Sequence, residues 1–401
     1  LKILLVHNYY QQRGGEDTVF EKERDLLRRA GHEVVEYCRS NHEVKQYSQI
    51  SLASRTIWAR DTQDECRQLI VREKPQIVHV HNTFVMISPS IYSACREFRV
   101  PVVQTLHNYR IFCPVATFFR NGHVCEECKE HTVLQSVRHK CYHDSLAATA
   151  TVALMLAVHR RKQTWTRFVD RYIALSEFSR KKFCEARLPA EKLMVKPNFV
   201  YPDPGAGKGS RKYGLFVGRL SEEKGLNTLL EAWQSLPRSI PLRIAGDGPL
   251  REELQARTNR QGLTNVTFCG RLSSEEVIQM MQGARFVVIP SECYENCPMT
   301  ILEAFACGCP VIAADIGGMQ EIVENGRTGL HFRAQRPSIL AEQVSWAWCH
   351  SREMDVMGRA ARAEYEKKYT AEKNYQMLMR LYRSLLLKKQ SSTDAPHAIL
   401  D

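Results

Sequence analysis

The stretch Phe286–Ala314, FVVIPSECYENCPMTILEAFACGCPVIAA, reads as strand, loop, helix and strand. Phe286–Ile289 is a short, wholly apolar, β-branched run, as a strand buried on both faces requires. Pro290 and Ser291 end it, and a polar loop carries Glu292 and Glu295. Pro298 fits a first helical position, because its missing N–H is not needed there and its φ is already helical. Met299, Leu302 and Ala306 mark an apolar helical face, Gly308 and Pro310 end the helix, and Val311–Ala314 is the next buried strand. Two carboxylates stand out, Glu295 just before the helix and Glu303 in its second turn. Such a loop lies outside the carboxyl end of a parallel strand, where open α/β sheets bind ligands.

The Glu-x7-Glu spacing by itself occurs by chance in any acid-rich chain. In this frame, followed by EAFACGCPVIA and then Gly317-Gly318, it resembles the donor-sugar site of the retaining family-4 (group 1) glycosyltransferases. The resemblance implies an α/β fold of two Rossmann-like domains facing a central cleft (GT-B). It also implies that Glu295 contacts hydroxyls of the transferred sugar and that Glu303 holds the nucleotide ribose. Two departures from the family pattern matter. Pro298 stands where many relatives have glycine, and a cysteine-rich insertion is absent from most of them.

Whole-chain properties agree with two domains. The chain has 401 residues, 44% of them hydrophobic and 25% charged, which is ample for two cores. Its longest apolar run, around Ala147–Val158, is too short to span a bilayer. Leu1–Val6 reads as a strand leading into a loop rather than a leader, and the absence of an initiating Met is read as trimming. Fourteen cysteines without a small secreted framework point to a reducing, cytoplasmic setting. Residues 1–200 hold 31 Lys+Arg against 21 Asp+Glu, a net +10 of the chain's +12. A basic half attracts nucleic acid, an anionic membrane surface or a phosphorylated substrate, and charge does not choose among them.

In chain order, Lys2–Val6 is a first strand, followed by a loop ending in Gly14-Gly15 and a helix opened by Glu16-Asp17. The glycines let backbone N–H groups approach a ligand at a helix N-terminus, or form a plain tight turn; by resemblance they face donor and acceptor across the cleft. Val100–Leu106 is a strand ending at His107. By resemblance His107 lies against the donor sugar; a packing or capping histidine is the other reading. Ser145–Val158 is a strongly apolar helix followed by His159-Arg160-Arg161-Lys162. It is either a buried helix of the first domain or a face for a lipid-linked acceptor or the inner membrane surface.

Cys113, Cys125, Cys128 and Cys141 follow a C-x11-C-x2-C-x12-C spacing. Four thiolates in such a pattern suit a closed tetrahedral zinc site, which would staple a segment lacking a core of its own. Four scattered thiols are the alternative, with His123, His139 or His143 as substitute ligands.

Tyr201–Gly209 is a Pro/Gly-rich linker, after which VGRLSEEKG opens the second domain. Arg219 and Lys224, five residues apart in a glycine-bounded loop before a helix, suit a diphosphate, and the segment matches the family's phosphate loop. In the family the turns at Gly246, Gly248, Arg271 and Leu272 flank the nucleotide base, and Pro298, Met299, Gly317 and Gly318 border the donor. The expected domains are 1–200 with the insertion 113–141, 201–370, a helix 371–390 crossing back onto the first domain, and a tail 391–401.

The function this implies is retaining transfer of a sugar from a nucleotide diphosphate sugar to a hydroxyl acceptor, a glycan or lipid-linked glycan as in polysaccharide biosynthesis. Glu295, His107, Arg219 and Lys224 would carry catalysis. No catalytic metal is expected, since fixed cations serve the diphosphate and the chain has no Asp-x-Asp pair. A nucleotide-sugar epimerase of the same fold, a catalytically dead binder and a zinc-dependent nucleic-acid-binding protein are the alternatives. The acidic Glu126-Glu127 centre of the cysteine pattern argues against the last, so no nucleic acid is expected.

Overall fold

The computed structural model describes residues 1–207 and 211–393. Six strands pair in parallel to form the first sheet: β1 (Lys2–Tyr9), β2 (Glu33–Ser40), β3 (Ile77–Val80), β4 (Val102–Leu106), β7 (Arg171–Ala174) and β8 (Leu193–Val195). Between β4 and β7 a small antiparallel hairpin, β5 (Phe119–Arg120) with β6 (His123–Val124), belongs to the insertion. The spatial order β2-β1-β3-β4-β7-β8 reverses direction between β1 and β3.

A second all-parallel sheet holds β9 (Gly214–Val217), β10 (Leu242–Ala245), β11 (Val266–Gly270), β12 (Phe286–Ile289), β13 (Val311–Ala314) and β14 (Gly329–Phe332). Its order is β11-β10-β9-β12-β13-β14, so its reversal falls between β9 and β12. Crevices outside the carboxyl ends of strands at such reversals are where open α/β sheets take ligands. The loop after β9 carries Arg219 and Lys224; the loop after β12 carries Glu292 and Glu295. This is the two-domain GT-B architecture.

The helix Met299–Ala306 is anchored by Ile301, Leu302 and Phe305, all fully buried, and each such side chain contributes about 1.5–3 kcal/mol. Pro298 is not its first residue. It is the cap, in an extended conformation (φ −61°, ψ 123°), and the helix starts at Met299. The ring fixes φ, but ψ stays free, and here it turns the chain out of the loop.

The last helix runs Ala371–Thr393, three residues past the expected boundary at 390. It crosses back to the first sheet: Tyr382 is buried with its hydroxyl 2.7 Å from His79 Nδ1, and Tyr375 meets His32 Nε2 at 2.9 Å. Leu378, Met379, Tyr382 and Leu385 join Ile3, Leu5 and Phe20 in one core with the second sheet. Most of the expected tail, residues 394–401, lies outside the described residues, as do residues 208 and 209 of the linker. The helix Leu146–Arg161 buries Val152, Met155, Leu156 and His159 at helical spacing and leaves Leu146 and Leu154 exposed. Among the described residues no helix is long and apolar enough to cross a membrane.

Candidate active site

In the second domain the two loops at the sheet reversal meet. Lys224 Nζ lies 2.5 Å from Glu295 Oε1, and the Ser291 hydroxyl donates to the same oxygen at 2.9 Å. Gly225 makes the approach possible: its φ is +68°, and a Cβ there would fall 1.9 Å from the Pro290 carbonyl oxygen. Burial alone would raise Glu295, yet the Lys224 ammonium, through its charge and hydrogen bond, holds the carboxyl below its usual range. Burial likewise opposes the charge on Lys224, and Glu295 outweighs it, so the ammonium is held above its usual value. The pair is therefore ionised at neutral pH.

Arg219 is exposed, and its guanidinium has no side-chain partner among the described residues. Gly246 and Gly248 press on the backbone of Gly218 and Leu220, and Leu220 N donates to Asp247 O at 3.0 Å. They buttress the Arg219 loop. Arg271 and Leu272 follow β11 on the same side of the sheet. Gly317 and Gly318 pack against the Glu295 loop. Gly318 N donates to Glu295 O at 2.7 Å, and a Cβ on Gly318 would meet Asn296 O at 2.1 Å. They shape the Glu295 loop, because the turn after β13 passes directly beneath it.

Glu303 has no side-chain hydrogen bond among the described residues. Burial pushes its pKa up to about 7, against a small opposing pull from Lys22 of the first domain. Above it, the glycine loop meets the start of the helix, since a Cβ on Gly15 would lie 3.7 Å from Met299 Cγ. Gly14 caps the helix Gly15–Arg29 and its N–H donates to Asp17 at 3.0 Å.

His107 leaves the end of β4 and is pinned from across the cleft: Asn296 Nδ2 donates to its carbonyl oxygen at 2.8 Å. Its ring Nε2 is 3.0 Å from His81 Nδ1. Burial, reinforced by the neighbouring His81, holds its pKa well below the usual value, so the ring is neutral. His81 Nε2 is 3.2 Å and His79 Nδ1 3.1 Å from Glu23 Oε1, and Lys196 Nζ is 2.9 Å from Glu23 Oε2. Glu23, His79 and His81 are close enough to hold a cation, but the Lys196 ammonium already supplies the positive charge. Beside His107, Glu16 Oε2 accepts from Asn108 at 3.1 Å and from Tyr10 at 3.2 Å, and its buried Oε1 has no partner. Burial and the adjacent Asp17 push Glu16 up to about 8.

Sequence reasoning missed Glu23, His79, His81, Lys196, Asn296 and Glu16. His79-Val80-His81 carried a signal, since residues two apart on a strand share a face. Nothing local marked Glu23, one acid among several on an amphipathic helix.

The four insertion cysteines are all free thiols. Cys128 is pushed up to about 12 by burial first, then by Cys113, Cys141 and Cys125 nearby. Among the described residues they do not form a set of ligand atoms all within 4.8 Å of one another. The acidic pair is neutralised within the fold: Glu127 meets Arg120 at 2.6 Å, and Glu126 meets Lys182 at 2.8 Å and Lys129. The insertion also reaches the second domain. Gln335 donates to both Gly122 O and Glu292, and Phe118 packs edge-on against Tyr294.

Residues 13–203 match the family model described as Glycosyltransferase Family 4, and residues 203–364 match Glycosyl transferases group 1. A D-rhamnosyltransferase of Pseudomonas aeruginosa is 37% identical over 162 residues, 40% of this chain and 42% of that protein. An O-antigen chain mannosyltransferase of Escherichia coli is 31% identical over 177 residues, 44% of this chain and 47% of the other. A sulfoquinovosyl transferase of Arabidopsis thaliana is 28% identical over 314 residues, 74% of this chain and 54% of that one. The chain thus spans about half the length of the curated relatives it matches. Among solved structures, Anabaena HepE in complex with UDP superposes with a TM-score of 0.69 at 20% identity, covering 96% of this chain and 100% of that one. Sucrose-phosphate synthase of Thermosynechococcus elongatus gives 0.72 at 17% identity, covering 96% and 99%. Both share the fold.

Proposed function

The chain belongs to the group 1 glycosyltransferases, and from that premise we propose that it moves a sugar from a nucleotide diphosphate sugar to a hydroxyl acceptor with retention of anomeric configuration. The observation that carries this reading is the ionised Lys224–Glu295 pair at the β9/β12 reversal, with the unpaired Arg219 beside it. Arg219 and Lys224 hold the diphosphate, and the helix opening at Met299 adds its N-terminal N–H groups. These cations stabilise the charge that develops on the leaving group. Glu295 orients sugar hydroxyls, and Glu303, which has no side-chain hydrogen bond among the described residues, accepts from the ribose. The acceptor oxygen forms the new bond to the anomeric carbon as the bond to the diphosphate oxygen breaks. The electron pair of the broken bond stays on the phosphate, which takes the acceptor's proton.

The acceptor binds on the first domain, where Glu16, Asn108 and the Gly14-Gly15 loop face the cleft. A glycan or lipid-linked glycan acceptor is supported by the O-antigen relative and by the exposed Leu146 and Leu154 on a helix ending in basic residues; the same face supports peripheral contact with the inner membrane surface. The insertion thiols hold one structural zinc, a reading supported by their C-x11-C-x2-C-x12-C spacing and their free state; the sulfurs would have to draw closer together to form a tetrahedral site.

Melting temperatures measured against nucleoside diphosphates and nucleotide sugars test the donor, because a ligand bound only to the native state stabilises it. One nucleotide series should raise the melting temperature of wild-type protein and much less that of Arg219→Ala. No shift with any nucleotide would overturn the reading.

A further inference from the structure

The buried chain behind His107 fixes which of its ring nitrogens carries the proton. Glu23 and Lys196 are almost wholly buried, at 1% and 2% side-chain exposure, and 2.9 Å apart. The ammonium keeps Glu23 ionised, so its oxygens only accept. His81 is fully enclosed and neutral: Glu23 is already balanced by Lys196, and a second buried cation would be left unpaired. A neutral imidazole has a single N–H. Glu23 Oε1 faces His81 Nε2 at 3.2 Å, so the proton sits on Nε2 and leaves Nδ1 a bare acceptor. His107 Nε2 faces that nitrogen at 3.0 Å and must bring the N–H. The single proton of His107 is therefore on Nε2. Its Nδ1 has no protein partner among the described residues and presents only a lone pair.

His79 fits the same order. Its Nδ1 lies toward Glu23 and Tyr382 on the crossing helix, and its Nε2 meets the Thr105 hydroxyl at 2.8 Å. A hydroxyl donates or accepts as required, so it sets no conflicting demand.

We propose that Glu23 is a positioning residue that, through His81, holds His107 as an obligate hydrogen-bond acceptor for a hydroxyl of the transferred sugar. The sugar's part in this rests on the glycosyl-transfer reading; the proton placement does not. In this arrangement His107 cannot protonate the leaving group, and it favours a donor with a hydroxyl at the facing carbon over the deoxy analogue.

The test is nitrogen NMR of the ligand-free full chain with labelled histidine, in which bare and protonated ring nitrogens have distinct shifts; signals of His107 are those lost in His107→Asn. Wild-type protein should show Nε2 protonated and Nδ1 bare. In Glu23→Gln the amide oxygen takes the Lys196 contact and the amide N–H turns to His81. That moves the His81 proton to Nδ1 and the His107 proton to its Nδ1, so the pattern inverts. With the donor identified by thermal shift, kcat/KM should then fall about tenfold or more. A wild-type His107 protonated on Nδ1 overturns the proposal, and so does a folded Glu23→Gln whose tautomers are unchanged, even if its rate is lower. Should Glu23→Gln fail to fold, the wild-type spectrum alone decides. Because no donor is added, a failed glycosyl-transfer reading leaves this result intact.

Discussion

Arg219 and Lys224 are both cations of the loop proposed to hold the diphosphate, yet their removal has different consequences. Arg219 has no side-chain partner to abandon among the described residues, so Arg219→Ala should leave the fold intact and lower kcat/KM about a hundredfold, the ~3 kcal/mol cost of one preorganised charge contact. Lys224→Ala also strips Glu295 of its 2.5 Å partner, so it should combine a similar rate loss with a lower melting temperature. Steady-state rates and thermal melts of the two variants together check this, and equal melts would contradict it. Glu303 adds a pH dependence. Its folded pKa, about 7 against 4.5 ordinarily, means the folded state holds a proton that the unfolded chain has lost. Its contribution to stability of the ligand-free protein therefore falls as pH rises between those values. Ribose hydroxyls donate to the ionised form, so affinity for a nucleotide sugar should rise about tenfold from about pH 6 to about pH 8. Calorimetry should show that slope in wild-type protein and lose it in Glu303→Gln. Glu295, Glu303, Arg219 and Lys224 were legible because each sits in a short local frame of glycines and a helix start. Glu23, His81 and Lys196 were not, because one helix, one strand and the approach to the linker assemble their network in space.

At the scale of elements, the short, wholly apolar runs declared themselves: β12 and β13 stand where Phe286–Ile289 and Val311–Ala314 put them. β8 escaped because three residues, Leu193–Val195, are too few to show a period, and β14 because Gly329–Phe332 mixes a glycine and a histidine into its apolar run. The insertion was legible as a thiol pattern but not as a bridge. Its contact with Gln335 and Tyr294 of the second domain joins residues more than a hundred positions apart. If zinc staples it, elemental analysis should find about one equivalent per chain, released on acidification as the thiolates protonate. Replacing Cys125 and Cys128 by Ser should lower that content and speed proteolysis within residues 113–141. Transfer should fall more than nucleotide binding, because the insertion supports the Glu292 loop from the acceptor side. Metal-free wild-type protein with this segment fully protected would leave four ordinary thiols.

The whole molecule places two sheet reversals opposite one another, with the crossing helix Ala371–Thr393 tying the second domain to the core of the first. Asn296 to His107 and Gly15 against Met299 join the two domains across the cleft, and closure over a donor would exclude water from the reacting sugar. On the proposed function, acceptor and leaving diphosphate would lie on one face of the sugar, beside Arg219 and Lys224. The measurement that tests this most directly is proton NMR of the sugar product, recorded as it forms from the donor that the thermal-shift panel identifies. The anomeric coupling of the first product should match that of the donor, with one nucleoside diphosphate released per sugar transferred. An inverted anomeric signal, or nucleoside diphosphate release that yields only free sugar and no glycosylated acceptor, would contradict the account.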